Sequence, residues 1–257
     1  MSGEEWVPGW IRGAVRAALP SRGAVYVSDV HLGAGWGDPG REATLCAMLE
    51  SLGQEVEDVI LGGDVFEFWY EWTHVRPHLG YRLLSCLELL SRRCRVWMIR
   101  GNHDFGIGAA IEGHGIRVLE DGLCLEVGGL RWLFLHGDGM APSDRSDRAV
   151  RRVLRHRLSQ WAWRRLLPPD LAMGLALRTG KASRQLQPGP APNLAEYEAE
   201  AFRWMELLDL AGVVHGHTHR PYLSGQGGRT YVNNGDWCKM RTRVTIRPEG
   251  PQLETIA

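Results

Sequence analysis

Residues 24–31 read Ala24-Val25-Tyr26-Val27-Ser28-Asp29-Val30-His31. The run is almost wholly apolar and rich in β-branched and aromatic side chains, as in a strand buried on both faces. It ends in a carboxylate and an imidazole two residues apart. Four more runs repeat the design: Asp58–Asp64 (DVILGGD), Arg95–Asn102 (RVWMIRGN), Leu130–Asp138 (LRWLFLHGD) and Gly212–His219 (GVVHGHTH). Between the first three lie amphipathic stretches, REATLCAMLESL from Arg41 and YRLLSCLELL from Tyr81. In the first, Leu45, Met48, Leu49 and Leu52 recur at helical spacing. Strands alternating with helices predict an α/β protein layered around a central sheet. LAEYEAEAFRWMELLDLAG predicts another core helix ending near Gly212, and RTYVNNGDW with RVTIRP predicts a closing pair of strands.

Each predicted strand end carries Asp, Asn or His. They are Asp29 and His31; Asp64; Asn102, His103 and Asp104; His136 and Asp138; and His215, His217 and His219. On extended chain, residues i and i+2 share a face, so Asp29/His31 and His217/His219 are expected to point together. Strand C-termini are where layered α/β proteins build sites. Seven or eight N and O donors exceed the four of a tetrahedral zinc site. They suit two adjacent ions sharing a carboxylate, an arrangement fitted to phosphoryl displacement. Imidazole, carboxylate and amide donors point first to manganese, with iron or zinc as alternatives. The glycines beside them (Gly62, Gly63, Gly101, Gly137, Gly216) permit tight turns and close backbone approach.

Composition narrows the field. The 257 residues carry 30 basic and 30 acidic side chains, which argues against a surface built for nucleic acid. Five cysteines without a C-x-x-C pair argue against a disulfide framework and for a reducing compartment. No apolar run approaches the roughly 20 residues of a membrane span, and MSGEEWVPGW does not read as a secretory signal. A cytoplasmic protein is expected. Residues 1–20 read as an N-terminal extension with Trp6, Trp10, Ala14 and Ala17 on one helical face, packed on the core or lying at an interface.

The motifs SDVHLG, GGDVFEFW, GNHDF, HGDGM and GHTHRP, in this order between residues 24 and 240, resemble those of the calcineurin-like metallophosphoesterases. The resemblance implies an α-β-β-α sandwich over residues 21–257 as a single domain. It implies that Asp29, His31, Asp64 and His219 hold one divalent ion and that Asp64, Asn102, His136 and His217 hold the other. It further implies that His103 contacts the phosphate and acts as general acid, oriented by Asp104.

Within that superfamily the chain is most similar to the UDP-2,3-diacylglucosamine hydrolases. The aromatic tail of GDVFEFW, the NNGDW after GHTHRP and a helical insert after HGDGM carry this resemblance. It implies hydrolysis of UDP-2,3-diacylglucosamine to UMP and 2,3-diacylglucosamine 1-phosphate by a metal-bridged hydroxide. The insert, residues 141–190, would be a cap that receives acyl chains. By position, Asp144, Lys181, Ser183 and Arg184 would join His103 in binding substrate. The best characterised of these hydrolases have arginine where this chain has His103. The histidine form is that of the wider superfamily.

The insert mixes Leu158, Trp161, Leu166 and Leu171 with Arg145, Arg148, Arg151, Arg152, Arg155, Arg157, Arg164 and Arg165. Such a mixture suits peripheral contact with an anionic bilayer on the inner face of the cytoplasmic membrane. It equally suits a cap packed on the domain with solvated arginines. Two other functions stay open: a phosphodiesterase or nucleotide hydrolase for a soluble substrate, and a non-catalytic binding module of the same fold. Nothing in the sequence sets an oligomeric state.

Overall fold

The computed structural model describes residues 7–35, 37–72, 74–186 and 193–256, with backbone alone at 145–147, 164 and 179–186. In chain order the first half contains α1 (Gly9–Arg16), β1 (Leu19–Ser21), β2 (Ala24–Val27), α2 (Arg41–Glu50), β3 (Asp58–Leu61), α3 (Tyr81–Leu90) and β4 (Arg95–Ile99). Next come α4 (Ala109–Glu112), β5 (Arg117–Leu119), β6 (Gly122–Val127), β7 (Leu130–Leu135), α5 (Arg145–Arg155), α6 (Arg157–Leu166) and α7 (Pro169–Leu186). The chain closes with α8 (Leu194–Leu208), β8 (Gly212–His215), β9 (Tyr222–Gln226), β10 (Arg229–Asn233), β11 (Thr242–Arg247) and β12 (Gly250–Thr255).

Two six-stranded sheets result, ordered β1-β6-β7-β8-β10-β9 and β12-β11-β2-β3-β4-β5. They stack face to face because the five predicted strands are apolar on both sides. Tyr26, Ile60 and Trp97 of one sheet meet Leu125, Phe134 and Val214 of the other. The opposite faces bury α2 and α3 against Val25, Val59 and Val96, and α1 and α8 against Leu133, Val213 and Tyr231. The order of layers is therefore α-β-β-α.

Three local readings change. The tail strands do not pair with each other: β10 pairs with β8 and β9, whereas β11 pairs with β2 and β12. The segment Asn234–Trp237 between them crosses from one sheet to the other. α8 stops at Asp209, whose left-handed backbone (φ 52) ends the helix. Gly212 instead starts β8, where a Cβ would stand 2.2 Å from the Trp132 ring. In α1 the buried residues are Ile11 and Val15, flanked by half-buried Trp10 and Ala14; Val7, just before the helix, is buried with them, and Ala17, just after it, is exposed. Trp6 lies outside the described residues.

Helices α5–α7 pack through Leu154, Trp163, Leu167 and Ala172 on an aromatic platform of Phe68, Tyr70, Trp72 and Phe105. The Tyr70 hydroxyl donates to the Gln160 carbonyl at 2.9 Å. Among the described residues no helix is long and apolar enough to cross a membrane.

Candidate metal centre

The donor residues converge, though not by strand alternation. β2 ends at Val27 and β8 at His215, so the donors lie just past the strands. Asp29, His31, Asp64, His217 and His219 all take left-handed backbone, with φ between 50° and 66°. Non-glycine residues pay a steric cost there and gather at functional sites when they adopt it. Two glycines make the approach possible. A Cβ on Gly101 would stand 2.1 Å from Asp64 Oδ1, and one on Gly216 would stand 2.2 Å from Asp29 Oδ2.

Asp29 is fully buried; its Oδ2 accepts from the His217 amide at 2.9 Å. Its Oδ1 is buried without a hydrogen bond and faces His219 Nε2 at 3.3 Å. Asp64 Oδ2 is the hub of the group, with Nε2 of His136, His31 and His103 at 3.6, 3.9 and 4.0 Å. Burial pushes both carboxyls upward in pKa, but the surrounding imidazoles outweigh it and hold both below the usual carboxylate range. Two ionised carboxylates are thus kept out of water, which is costly without positive charge.

The imidazoles are wired to present bare nitrogens. His136 Nδ1–H donates to the Gly62 carbonyl at 2.9 Å and His31 Nδ1–H to Glu67 Oε2 at 3.1 Å. In the neutral ring Nε2 is then unprotonated and faces inward. His136 Nε2 meets the Asn102 oxygen at 3.1 Å, and His31 Nε2 meets His219 Nε2 at 3.4 Å. An acceptor facing an acceptor at His136 and Asn102, beside a buried carboxylate oxygen without a hydrogen bond, belongs to a donor set that fits divalent cations. The carboxylate and imidazole groups Asp29/His31/His219 and Asp29/Asp64/His136 are each close enough to share one ion. Asn102 lies beside the second group, and the His217 ring packs edge-on to His136 at 5.2 Å.

His103 sits at the rim, 23% exposed, with Nδ1–H donating to the Glu67 carbonyl at 3.0 Å. Asp104 does not orient that ring. Its buried carboxylate accepts the amides of Gly101 at 2.8 Å, Val65 at 2.7 Å and Asp64 at 3.2 Å. It ties the Asp64 turn to the Asn102–Asp104 turn. Burial, then the Asp64 charge, pushes its pKa up to about 6 against those donors. Glu67 stands in GGDVFEFW, where nothing in the motif assigns it a role. Only the fold reveals that its side chain holds His31.

Of the other donors, His215 is core: it stacks on Tyr197 at 5.5 Å and bonds the Tyr231 hydroxyl at 2.7 Å. Burial drives its pKa down to about 3, so it stays neutral. Asp138 pairs with Arg151 at 3.3 Å and anchors α5. Asp144 accepts from the Tyr197 hydroxyl at 2.6 Å and the Ala141 amide at 3.1 Å, at the foot of α5. Lys181, Ser183 and Arg184 lie on α7, and their side chains fall outside the described residues.

The arginines divide. Arg148 donates to the carbonyls of Ala141 and Pro142, and Arg155 donates to Asp121 at 2.9 Å and to the Arg100 carbonyl at 3.2 Å. With Arg151, these turn inward and fasten α5 to the body, so they do not form a free basic face. Arg152, Arg157 and Arg165 are exposed, beside Leu158 (70%), Trp161 (57%) and Leu166 (68%). A cavity of about 510 Å³ lies between the 71–76 and 105–110 loops, walled by Trp72, Phe105, Arg76, Arg100, Glu112 and Glu120.

Residues 24–221 match the model of the calcineurin-like phosphoesterase family, and the chain belongs to that family of metal-dependent hydrolases. Among curated relatives it is similar to the UDP-2,3-diacylglucosamine hydrolase of Shewanella pealeana, with 27% identity over 89% of this chain and 96% of the relative. The protein of the same name from Pseudomonas fluorescens is 29% identical over 88% and 92%. Among solved structures, a Vps29 mutant from Entamoeba histolytica aligns over 91% of this chain and 98% of its own, with 12% identity and a TM-score of 0.46.

Proposed function

We propose that this chain hydrolyses the pyrophosphate bond of UDP-2,3-diacylglucosamine, releasing UMP and 2,3-diacylglucosamine 1-phosphate. The observation that carries this reading is the extent of the likeness to hydrolases of that name. An alignment over 89% of the chain cannot leave out the whole of α5–α7. The likeness to those hydrolases therefore extends into at least part of residues 145–186.

Two divalent ions, manganese first, would be held by Asp29, His31, Asp64 and His219 and by Asp64, Asn102, His136 and His217. When bound, such ions activate water and neutralise phosphate charge. The chain's own groups supply the rest. His103, its Nδ1 proton held by the Glu67 carbonyl, exchanges protons only at Nε2, which faces the centre. That atom delivers the proton to the departing phosphate oxygen. The exposed face of α6 and the start of α7, with Leu158, Trp161, Leu166 and Leu171 among Arg152, Arg157 and Arg165, supports peripheral contact with the inner face of the cytoplasmic membrane. Lys181, Ser183 and Arg184 remain proposed substrate contacts.

A second reading, a soluble phosphodiester or nucleotide substrate, is favoured by the charged walls of the 510 Å³ cavity. The test is UMP release from UDP-2,3-diacylglucosamine by manganese-loaded protein, with an aryl phosphodiester in parallel. Lipid turnover at a kcat/KM of about 10⁴–10⁸ M⁻¹s⁻¹ supports the first reading. Turnover of the aryl ester alone supports the second.

A further inference from the structure

Glu67 reaches two parts of the centre with two different atoms. Its Oε2 accepts the Nδ1 proton of His31 at 3.1 Å, both side chains being 2% exposed. Its backbone carbonyl accepts the Nδ1 proton of His103 at 3.0 Å. The residue is itself clamped, because its amide donates to the Leu32 carbonyl at 2.9 Å beside the Leu32–Phe66 bridge. The two rings meet edge to face at 4.9 Å.

Carboxylate and carbonyl oxygens only accept, so both rings carry their proton on Nδ1. A ring nitrogen that carries a proton cannot bind a metal. The Glu67 carboxylate therefore decides whether His31 offers a lone pair to the ion at Asp29 and His219. Nothing in the His31 ring itself makes that choice, since the two neutral tautomers differ little until a partner selects one.

We infer that Glu67 is a positioning residue of the metal centre: its side chain fixes the ligating tautomer of His31, while its main chain fixes the ring of His103. Because one duty belongs to the side chain and the other to the backbone, mutation separates them. The inference rests on the metal-dependent reading above. Glu67→Gln keeps the shape but offers an NH₂ that can donate to Nδ1, driving the ring proton to Nε2, where the ion must bind. Glu67→Asp keeps the charge but is one methylene too short to reach His31.

The experiment is calorimetric titration of the metal-stripped full chain with Mn²⁺, for wild type, Glu67→Gln and Glu67→Asp. Bound Mn²⁺ per chain is counted at saturation, and kcat on an aryl phosphodiester is read at limiting and saturating Mn²⁺. Both variants are expected to bind one Mn²⁺ about 10–100-fold more weakly, with full occupancy at saturation. Their kcat should recover as Mn²⁺ rises, a rescue that general damage to the fold would not give. Wild-type affinity in both variants overturns the inference. So does a lowered count at saturation, which would make Glu67 a ligand. Wild type binding no Mn²⁺ would instead sink the metal-dependent reading itself. Should neither variant fold, ¹⁵N NMR of metal-free wild type decides: His31 must show a protonated Nδ1 and a bare Nε2, and the reverse pattern overturns the inference.

Discussion

Nε2 of His136 stands 3.1 Å from the side-chain oxygen of Asn102, and while the ring is neutral neither atom has a proton to give. The ring's one proton is on Nδ1, held by the Gly62 carbonyl. Two acceptors brought this close, beside two buried carboxylates, repel each other unless a cation lies among them. Chelation should therefore cost stability as well as activity. Mn²⁺ at about 100 times its Kd should add about 2.7 kcal/mol, read as a rise in melting temperature over protein in chelator. No shift on adding metal would rule out a bound pair.

Asp64 and His103 should fail differently. Asp64→Ala removes the hub carboxylate that lies within 4.0 Å of three imidazoles. It should lower both bound Mn²⁺ and turnover, the latter by more than about 100-fold. His103→Ala should keep both ions and lower kcat by about 10²–10⁴-fold, the span of general acid–base catalysis. A loss below about tenfold in either would count against the mechanism.

Gly216→Ala places a Cβ 2.1 Å from Ser28 Oγ and 2.2 Å from Asp29 Oδ2. Something must move, and Asp29 is the neighbour that bonds His217. Metal content should fall while far-ultraviolet circular dichroism is kept. Gly225→Ala, on the exposed strand β9 with its nearest neighbour at 3.7 Å, is the control and should change neither.

All five cysteines are buried, and burial pushes the thiols of Cys46, Cys124 and Cys238 up to about 12. A thiol whose folded pKa is raised stabilises the fold below its unfolded pKa, near 9.0. That contribution is lost as pH climbs from there toward the folded value. Melting temperature should thus fall between pH 9 and 11. Thiol reagents at pH 8 should label the chain only in denaturant, and fast labelling of the native protein would contradict the burial.

Replacing Leu158, Trp161 and Leu166 together by Ser strips the exposed apolar face of α6. Cosedimentation with anionic vesicles should drop by at least about tenfold, as expected when three buried side chains each contributed to partitioning. Aryl phosphodiester turnover should hold, since none of the three touches the centre. Equal vesicle binding before and after would count against a membrane contact through α6.

The sheets were legible where strands are buried on both faces, because continuous apolar runs leave little choice. Edge strands were not: β9 is mostly exposed and polar, β5 is three residues long, and β12 carries Pro251, tolerated only at an edge. The donors were legible as residue types at strand ends, yet the reason they converge was not. Alternation along an extended chain was the expected device. Left-handed turns at Asp29, His31, Asp64, His217 and His219 are what the fold uses, and no spacing rule reveals them. The arginines of α5 misled for a related reason, since a one-dimensional block hides that Arg148, Arg151 and Arg155 face inward.

The strands that carry Asp29, Asp64 and Asn102 belong to one sheet, and those that carry His136 and His217 to the other. Their chain order is the order of synthesis. A nascent chain thus exposes the carboxylates first and completes the donor set only when His219 has left the ribosome and both sheets have docked. Half the protein can offer an ion only a fragment of its coordination. Divalent ions held by the full donor set would therefore be captured late, once the loop after β8 has reached its place.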